Sequence, residues 1–359
     1  MIKNHNRMLT VILVKLITCV IVFAISLGVA AYATLWERKF SALLQDRVGP
    51  DRAGPKGLLQ PLADGGKMFF KEEIIPNVSN KFLFILGPSL FMITALMTGT
   101  VIPWGKDFTT ANGTTYSFQI TDINIGVLYL LGVVSIGVYG IMIGGWASNN
   151  KYALLGAIRS SSQMISYEIA MGISVIALVI TAGGTLSLRE IVGQQDAGWA
   201  NIVYQPLGFL IFFVCALAET NRAPFDLPEC EAELVGGYHT EYSSMKLGLF
   251  LFAEYINMFI SSAVMSAFYF GGYNFPFAQE LYHAMGLQDG SIWISIIGFG
   301  AFFTKIVIFI CVFMWIRWTL PRFRYDQLMN LGWKILLPLS LLNLAITVGV
   351  EFLRGNLHF

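Results

Sequence analysis

Six carboxylates follow one another closely in one stretch of the chain. They are Glu219, Asp226, Glu229, Glu231, Glu233 and Glu241, and Arg222 is the only Lys or Arg residue among them. Carboxylates crowded into a poorly solvated space raise one another's pKa and titrate as a coupled set. Such a set can take up and pass on protons near neutral pH. The alternative is a solvated acidic patch that docks on a basic surface of a partner.

Four further observations concern charges that lie within or at the ends of long apolar runs. A charged side chain at mid-depth in a bilayer costs at least about 2.5 kcal/mol, so most that persist face a bundle interior or a wet cavity. Lys305 is near the middle of its run, and Glu254 is about two turns into another. Glu168 is about one turn inside its run, and Glu219 ends one. The alternative for each is an interface residue that reaches water.

The sequence lacks the patterns of a self-contained redox or hydrolytic site. Its four cysteines and four histidines are scattered without metal-ligand spacing, so we predict no iron–sulfur, zinc, haem or disulfide site. There is no glycine-rich nucleotide motif and no nucleophile with its base. We therefore predict no catalytic residue and no metal site in this chain.

The elements that must position these charges are membrane helices. Of the 359 residues, 55% are hydrophobic and 13% are charged, against about 25% charged in a soluble domain. A spanning helix needs about 20 mostly apolar residues. The predicted fold is an all-α, polytopic transmembrane bundle of about eight spans, near residues 10 to 36, 82 to 103, 123 to 146, 164 to 185, 202 to 218, 247 to 270, 292 to 316 and 335 to 350.

The distribution of basic residues predicts the orientation of these spans. The connections near 36 to 81, 147 to 163, 219 to 246 and 317 to 334 hold 16 Lys and Arg, against 5 in the segments on the other side. Cytoplasmic loops carry the excess, so both termini are predicted on the periplasmic side. The charges are not pooled on one basic face, so no nucleic-acid partner is expected. We treat residues 1 to 359 as one integral membrane domain.

The first predicted cytoplasmic loop carries two further patterns. The stretch from Gly57 to Glu73 groups six apolar residues with Lys67 and Lys71, a pattern suited to an amphipathic helix in the headgroup plane, and Pro61 near its start is compatible with that. Arg-x-Gly-Pro occurs at Arg47 to Pro50 and again at Arg52 to Pro55. These turns can direct two guanidinium groups toward a cofactor or a partner subunit, although turn formation alone also explains them.

Several long segments resemble the H-subunit (subunit 1) family of respiratory complex I, the proton-pumping NADH:quinone oxidoreductase. The resemblance rests on ERKFSALLQDRVGPDRAGPKGLLQPLADGGKMFFKEE (37 to 73), GAIRSSSQMISYEIAMG (156 to 172), AETNRAPFDLPECEAELVGGYHTEYSSM (218 to 245), AEYINM (253 to 258) and LPRFRYDQLMNLGWKILLP (320 to 338). It covers essentially the whole chain, in register.

The resemblance implies a translocase subunit without a redox centre of its own, in a bacterial inner membrane. Its substrate would be a quinone, ubiquinone or menaquinone, that enters through a membrane chamber. The iron–sulfur cluster and flavin would belong to partner subunits, and the partners would be the other membrane subunits, the peripheral quinone-site subunits and membrane lipid. No cofactor would be bound by this chain alone.

The resemblance also assigns roles to residues by position. The quinone channel would be lined or supported by Glu37, Arg38, Arg47, Asp64 and Lys67. The proton pathway would comprise Glu168, Glu219, Glu229, Glu231, Glu233, Glu241 and Glu254. Charge partners would be Arg159, Lys305, Arg322, Arg324 and Asp326. In a low-dielectric channel, the charge that develops on a reduced quinone is weakly screened and can change the protonation of such acids.

Two alternatives remain at this point. One is the membrane anchor of a related energy-converting hydrogenase or ferredoxin-fed complex, which would work with other soluble partners. The other is a free-standing ion transporter, favoured by Glu254 and Lys305 but expected to show an internal repeat, which the sequence lacks.

Overall fold

A computed structural model describes residues 2–109, 115–196, 200–226, 235–276, 278–286 and 290–355, and side chains from residue 12 onward. The prediction of an all-α membrane bundle is confirmed. The long helices are α1 (Ile2–Leu44), α3 (Lys81–Thr98), α4 (Gly126–Ala147), α5 (Lys151–Thr181), α9 (Ser244–Tyr269) and α11 (Ile292–Thr319). The shorter helices are α2 (Gln60–Phe70), α6 (Leu188–Gln194), α7 (Asn201–Tyr204), α8 (Pro206–Glu219), α10 (Ala278–Ala284) and α12 (Tyr325–Asn330).

The last span is built from three helical pieces. A π-helical turn at Leu331–Leu336 joins α12 to α13 (Leu337–Leu353). With this segment counted as one span, the described residues contain seven helices that are long and apolar enough to cross a membrane. The fifth predicted span is α8, which is apolar but only 14 residues long. At 1.5 Å per residue it reaches about 21 Å, less than the hydrocarbon thickness of about 30 Å.

Three predicted boundaries differ from the structure. The first span continues past Trp36 to Leu44. The fourth begins at Lys151, so most of the loop predicted at 147 to 163 is helix, and Glu168 lies near the middle of α5 instead of one turn from its end. Helix also occupies most of the loop predicted at 317 to 334. Hydropathy does not predict the N-terminal extension of α5, because polar residues such as Ser160 and Gln163 lower the mean hydropathy although they face inward.

Small residues allow α3 and α4 to approach closely. Gly87 of α3 faces Gly140 and Gly144 of α4 so closely that a Cβ on Gly87 would stand 2.8 Å from the Cα of Gly144. Close backbone approach at glycine is a common way for membrane helices to associate, because van der Waals packing replaces the hydrophobic effect there. Helix α9 lies inside the bundle, with a face of fully buried residues that includes Phe259 and Tyr269.

The amphipathic helix predicted between 57 and 73 is observed as α2. Pro61 occupies its first turn, where the missing N–H has no intrahelical partner to lose. Leu62, Phe69 and Phe70 project from it with more than two thirds of their surface exposed. These apolar side chains fit a helix that lies along a membrane surface.

Candidate functional site

Four elements converge at one end of the bundle and bring together a set of charged residues that are distant in sequence. Glu37 comes from the last two turns of α1, Arg222 from the segment after α8, Tyr255 from α9 and Arg317 from the end of α11. We call these four residues the Glu37 cluster. Glu37 and Arg222 are each only 5% exposed.

The Glu37 carboxylate is the centre of this cluster. Its Oε2 accepts hydrogen bonds from Arg222 Nη1 at 3.0 Å and from the Tyr255 hydroxyl at 2.9 Å. Its Oε1 lies 2.5 Å from Arg317 Nη1. One buried carboxylate therefore holds two guanidinium groups, and the three charges leave an excess of one positive charge.

Arg222 is bound by charge and by an aromatic face. Its guanidinium carbon lies 4.0 Å from the centre of the Tyr255 ring, within the range of a cation–π contact. Burial lowers the pKa of Arg222, but Tyr255 and Glu37 more than offset this, so that its pKa is raised above the usual value. Arg222 therefore keeps its charge in this buried site. Its Nε is buried and donates to no group in the described residues.

Two further acids lie next to the Glu37 cluster. Glu254 is 4% exposed and accepts a hydrogen bond from the Tyr238 hydroxyl at 2.8 Å, and it lies close enough to Arg222 to attract it when ionised. Asp226 is 5% exposed and pairs with Arg322 Nη2 at 2.9 Å. Arg322, predicted as a charge partner, thus pairs with an acid that was noted in the acidic loop but not assigned to a site.

Glu168 and Glu219 form a different arrangement, which we call the acid pair. Glu168 of α5 accepts a hydrogen bond from the Ser135 hydroxyl of α4. Glu219 ends α8 close enough to Glu168 that the two carboxylates would repel each other if both were ionised. Among the described residues, no guanidinium or ammonium group forms an ion pair with either acid. Both side chains are half-buried, and Glu168 has a neutral hydroxyl partner.

A polar bridge on α5 separates the acid pair from the Glu37 cluster. The Gln163 amide donates to the Ala218 carbonyl at 2.8 Å, and the Ser160 hydroxyl donates to Asn221 Oδ1 at 3.3 Å. Asn221 precedes Arg222 directly, and Ala218 precedes Glu219. The Gln163 Oε1 is buried and accepts no bond in the described residues. These hydrogen bonds hold the polar side chains of α5 against the segment that joins Glu219 to Arg222 in the sequence.

The other residues predicted for the quinone channel lie on the surface of the same end. Arg38 pairs with Asp64 of α2 at 2.8 Å, and Lys67 lies 3.7 Å from the same carboxylate. Arg47 is exposed and bonds only to near neighbours, Gln45 at 2.7 Å and Ser41 at 3.5 Å. The structure thus ties α2 to α1 through Asp64 but does not bring Arg47 into the Glu37 cluster.

The remaining predicted residues are dispersed. Glu241 accepts a hydrogen bond from Asn150 at 2.6 Å. Arg159 lies 5.6 Å above the Tyr325 ring, and Arg324 pairs with Asp326 at the exposed start of α12. Glu229, Glu231 and Glu233 lie outside the described residues, and their roles remain predictions.

Lys305 has a structural partner of another kind. Its ammonium group donates to the carbonyl of Phe270 at 2.6 Å and of Gly272 at 2.8 Å, and also contacts that of Asn274. These carbonyls follow the end of α9, where the last turn of a helix leaves acceptors unpaired. Lys305 therefore caps α9 at the end of the bundle away from the Glu37 cluster.

Sequence reasoning missed several residues that complete the site: Tyr238, Tyr255, Arg317 and Ser135. Signals for part of the site were present. Arg222 is the one basic residue of the acidic stretch, and an isolated cation among acids indicates a buried pair. Arg317 is the last charged residue of an apolar run. Tyr238 and Ser135 carried no signal, because their roles depend on contacts between distant elements.

The arrangement offers two chemical functions in adjacent places. The Glu37 cluster can hold a polar or negatively developing group through buried guanidinium and hydroxyl groups in a low-dielectric site. Glu254 and Glu168 are bonded to hydroxyl groups, which can accept as well as donate and so can adapt to a change in protonation. Protons taken up at Glu254 or Glu168 can thus balance negative charge that develops at the Glu37 cluster.

Comparison with known proteins identifies the family. Residues 16–348 match the NADH dehydrogenase family model. The chain is 68% identical to the NADH-quinone oxidoreductase H subunit 1 of Cytophaga hutchinsonii over 94% of this chain and 96% of that protein. It is 57% identical to the H subunit of Flavobacterium johnsoniae (96% and 97% covered) and 48% identical to subunit 8 of Rhodothermus marinus (88% and 90%).

These matches favour the respiratory complex over the hydrogenase anchor and the free-standing transporter. They agree with the resemblance of the segments at 37 to 73 and 218 to 245, and with the seven helices of the described residues that are long and apolar enough to cross a membrane. The chain belongs to the H-subunit family of NADH-quinone oxidoreductase and is a membrane subunit of that multisubunit enzyme.

Proposed function

We propose that this subunit forms the membrane part of the quinone chamber and converts quinone reduction into proton movement through its buried acids. The observation that carries the proposal is the Glu37 cluster, in which two arginines and a tyrosine share one buried carboxylate. The quinone is the substrate, and the iron–sulfur cluster and flavin that feed it electrons would lie on partner subunits. Each relative named above is called a subunit of an NADH-quinone oxidoreductase.

The electrostatics give a reason for this coupling. Reduction of a quinone takes up two electrons and two protons, so negative charge develops on the headgroup before protons arrive. The Glu37 cluster has one excess positive charge from Arg222 and Arg317 and can stabilise that negative charge. Attraction of Arg222 toward the headgroup would weaken its interaction with Glu254, which favours protonation of Glu254.

The polar bridge offers the next step toward the membrane interior. Asn221, Ser160 and Gln163 lie between the Glu37 cluster and the acid pair, within hydrogen-bond distance of the backbone or of one another. A change in charge around Arg222 would then act on Glu219, which lies three residues earlier in the chain. Glu229, Glu231, Glu233 and Glu241 would supply protons from the cytoplasmic loop, and Arg159, Arg322 and Arg324 would balance their charge.

The proposal is tested by neutralising the acid that ends α8. In the intact complex reconstituted in vesicles, Glu219→Gln should lose most quinone-coupled proton translocation, because glutamine cannot carry the proton. Glu231→Gln should have the same effect. The matched control is Glu280→Gln, an exposed acid of α10. Wild-type translocation in both variants of the acidic stretch would defeat the proposal.

The orientation of the chain is part of the same proposal. With α8 counted as an eighth crossing, the excess of Lys and Arg favours the cytoplasmic side for the connections that bear Arg47 and Arg222, and the periplasmic side for both termini. A reporter enzyme that folds only in the periplasm, fused after Phe359, should be active. The same reporter inserted after Asn149, between α4 and α5, should be inactive, and the reverse pattern would contradict the assignment.

A further inference from the structure

The last helix has a buried face of unusual composition. Its buried residues are Ser340, Asn343, Thr347 and Glu351, all of them polar, whereas Leu341, Leu342 and Ile346 are exposed. Asn343, Thr347 and Glu351 recur every four residues and so lie on one side of α13. In a membrane helix, polar residues that face inward line either a contact between helices or a wet cavity.

This polar face is joined to α5 and α8 by a chain of hydrogen bonds centred on Gln205. The Gln205 amide donates to the Thr181 hydroxyl at 2.9 Å and to the Thr347 hydroxyl at 2.7 Å. Its carbonyl accepts from the Asn343 amide at 3.1 Å. Gln205 is 4% exposed and interrupts the helix between α7 and α8. One buried amide thus links three helices.

A cavity opens at this junction. Its polar lining consists of Thr181, Tyr204, Gln205, Asn343, Thr347 and Glu351, together with Arg354 at its edge. Glu351 is 4% exposed and contacts Arg354 Nη1 at 3.1 Å, and Arg354 itself is exposed. Glu351 and its ion-pair partner Arg354 both line the opening, and contact between helices alone does not require such a charged pair there.

The cavity and the acid pair lie at opposite ends of α8. Helix α8 begins directly after Gln205 and ends at Glu219. The part of α5 between Glu168 and Thr181 lies alongside it. The cavity therefore lies toward the membrane face opposite the Glu37 cluster. It is lined by groups that neither the Glu37 cluster nor the acid pair uses.

Polar groups continue from the cavity toward the acid pair. A Cβ on Gly208 would stand 3.2 Å from Gln205 Oε1 and 3.3 Å from Asn343 Nδ2, so the backbone of α8 lies directly beside this amide contact. The Gly208 carbonyl accepts a hydrogen bond from the Ser174 hydroxyl at 3.3 Å. Ser174 is fully buried and lies six residues after Glu168, about 9 Å along α5.

We propose that the seam between α5, α8 and α13 is a polar passage for protons, which connects the acid pair with the membrane face opposite the Glu37 cluster and has Glu351 at its mouth. The passage extends the proton pathway of the proposed function and rests on it. Hydrogen bonds that serve only to hold helices together need neither the cavity nor the buried carboxylate.

Water access to the seam tests the passage independently of proton pumping. In the assembled complex, Thr347→Cys should react with a membrane-impermeant, cationic methanethiosulfonate added from the face opposite the Glu37 cluster. Asn343→Cys, one turn deeper, should react more slowly. Leu341→Cys lies on the apolar side of the same helix and is the matched control, which should stay unmodified. Mass spectrometry of the α13 peptide from both faces gives the result, and an unmodified Thr347→Cys would overturn the passage.

Two further variants address the transport of protons. Glu351→Gln should lose proton translocation by the reconstituted complex, because glutamine at the mouth cannot exchange a proton. Gly208→Ala leaves every polar side chain in place but sets a methyl group against the Gln205–Asn343 contact, and it should reduce translocation without removing a titratable group. Wild-type proton translocation in both variants would also overturn the passage.

Failure of the passage differs from failure of the proposed function. If Glu219→Gln loses translocation while Glu351→Gln and Gly208→Ala keep it, the acid pair stands and only the passage is wrong. If Glu219→Gln and Glu231→Gln both translocate normally, the proposed function falls, whatever reagent reaches Thr347→Cys.

Discussion

Glu37 and Glu168 are both acids on membrane helices, but the partners of their carboxylates differ in charge. Glu37 is surrounded by Arg222, Arg317 and the Tyr255 hydroxyl, whereas Glu168 receives a hydrogen bond from the Ser135 hydroxyl. A carboxylate between two guanidinium groups forms charge-assisted hydrogen bonds with both. A carboxylate bonded to a hydroxyl can take up a proton with little rearrangement, because the hydroxyl can accept as well as donate.

This difference fits a separate role for each region, with the headgroup positioned at the Glu37 cluster and protons transferred at the acid pair. The Glu37 cluster holds a fixed charge at the place where α1, α8, α9 and α11 meet, and it fits the binding of a polar headgroup. The acid pair holds exchangeable protons further along α5 and α8. Glu254 lies between the two types, since it is bonded to the Tyr238 hydroxyl and feels the charge of Arg222.

The largest expected effect comes from removing one arginine of the Glu37 cluster. Arg222→Met leaves the buried Glu37 with fewer partners and should destabilise the subunit by about 3–5 kcal/mol, the usual range for breaking a buried pair. Arg38→Met breaks a pair that is half exposed, at about 0–1 kcal/mol, and is the control. The measurement is the fraction of assembled complex in membranes. Equal assembly of the two variants would show that the Glu37 cluster is not held by its charges.

The sequence predicts the acids within the helices better than it predicts the Glu37 cluster. The all-α bundle and the acids within apolar runs follow from hydropathy and from the cost of burying charge. The Glu37 cluster does not follow, because Glu37 and Arg317 are separated by most of the chain and meet only through the packing of α1 against α9 and α11. Family resemblance assigned Glu37 to the quinone channel but named neither Arg317 nor Tyr255.

The boundary of α5 shows a second kind of limit. Its N-terminal part, residues 151 to 163, contains three consecutive serines at 160 to 162 as well as Arg159 and Gln163, and hydropathy therefore predicts a loop up to residue 163. In the structure this part is helix, and its polar face packs against Asn221 and the Ala218 carbonyl. Polar residues with buried partners cannot be told from exposed ones without knowledge of those partners. Glu168 was placed near the membrane surface for the same reason.

An intermediate effect distinguishes the two acids themselves. Glu37→Gln keeps an acceptor for Tyr255 but leaves two guanidinium groups without their shared charge, and it should destabilise the subunit by about 3 kcal/mol. Glu168→Gln keeps a carbonyl that accepts from Ser135, so its stability should change by less than about 1 kcal/mol. The temperature of half-inactivation of the purified complex compares them. A smaller shift for Glu37→Gln than for Glu168→Gln would reverse the comparison.

The smallest expected effect tests the acid that lies between the two types. Tyr238→Phe removes the hydroxyl that donates to Glu254 but keeps the ring that packs edge-on against Phe250 at 5.1 Å. A hydrogen bond to a charged group contributes about 1.5–3 kcal/mol, and one between neutral groups about 0.5–1.5 kcal/mol. The matched control is Tyr242→Phe, whose hydroxyl donates to the carbonyls of Phe84 and Gly144 at 3.1 and 3.2 Å.

Both tyrosines are buried and both rings pack against Phe250, and the acceptor is a carboxylate for Tyr238 and a backbone carbonyl for Tyr242. If Glu254 is ionised in the resting complex, Tyr238→Phe should lower the temperature of half-inactivation more than Tyr242→Phe. Equal shifts would mean that Glu254 is already protonated. In that case it would belong with the acid pair, and only Glu37 would remain as a fixed charge.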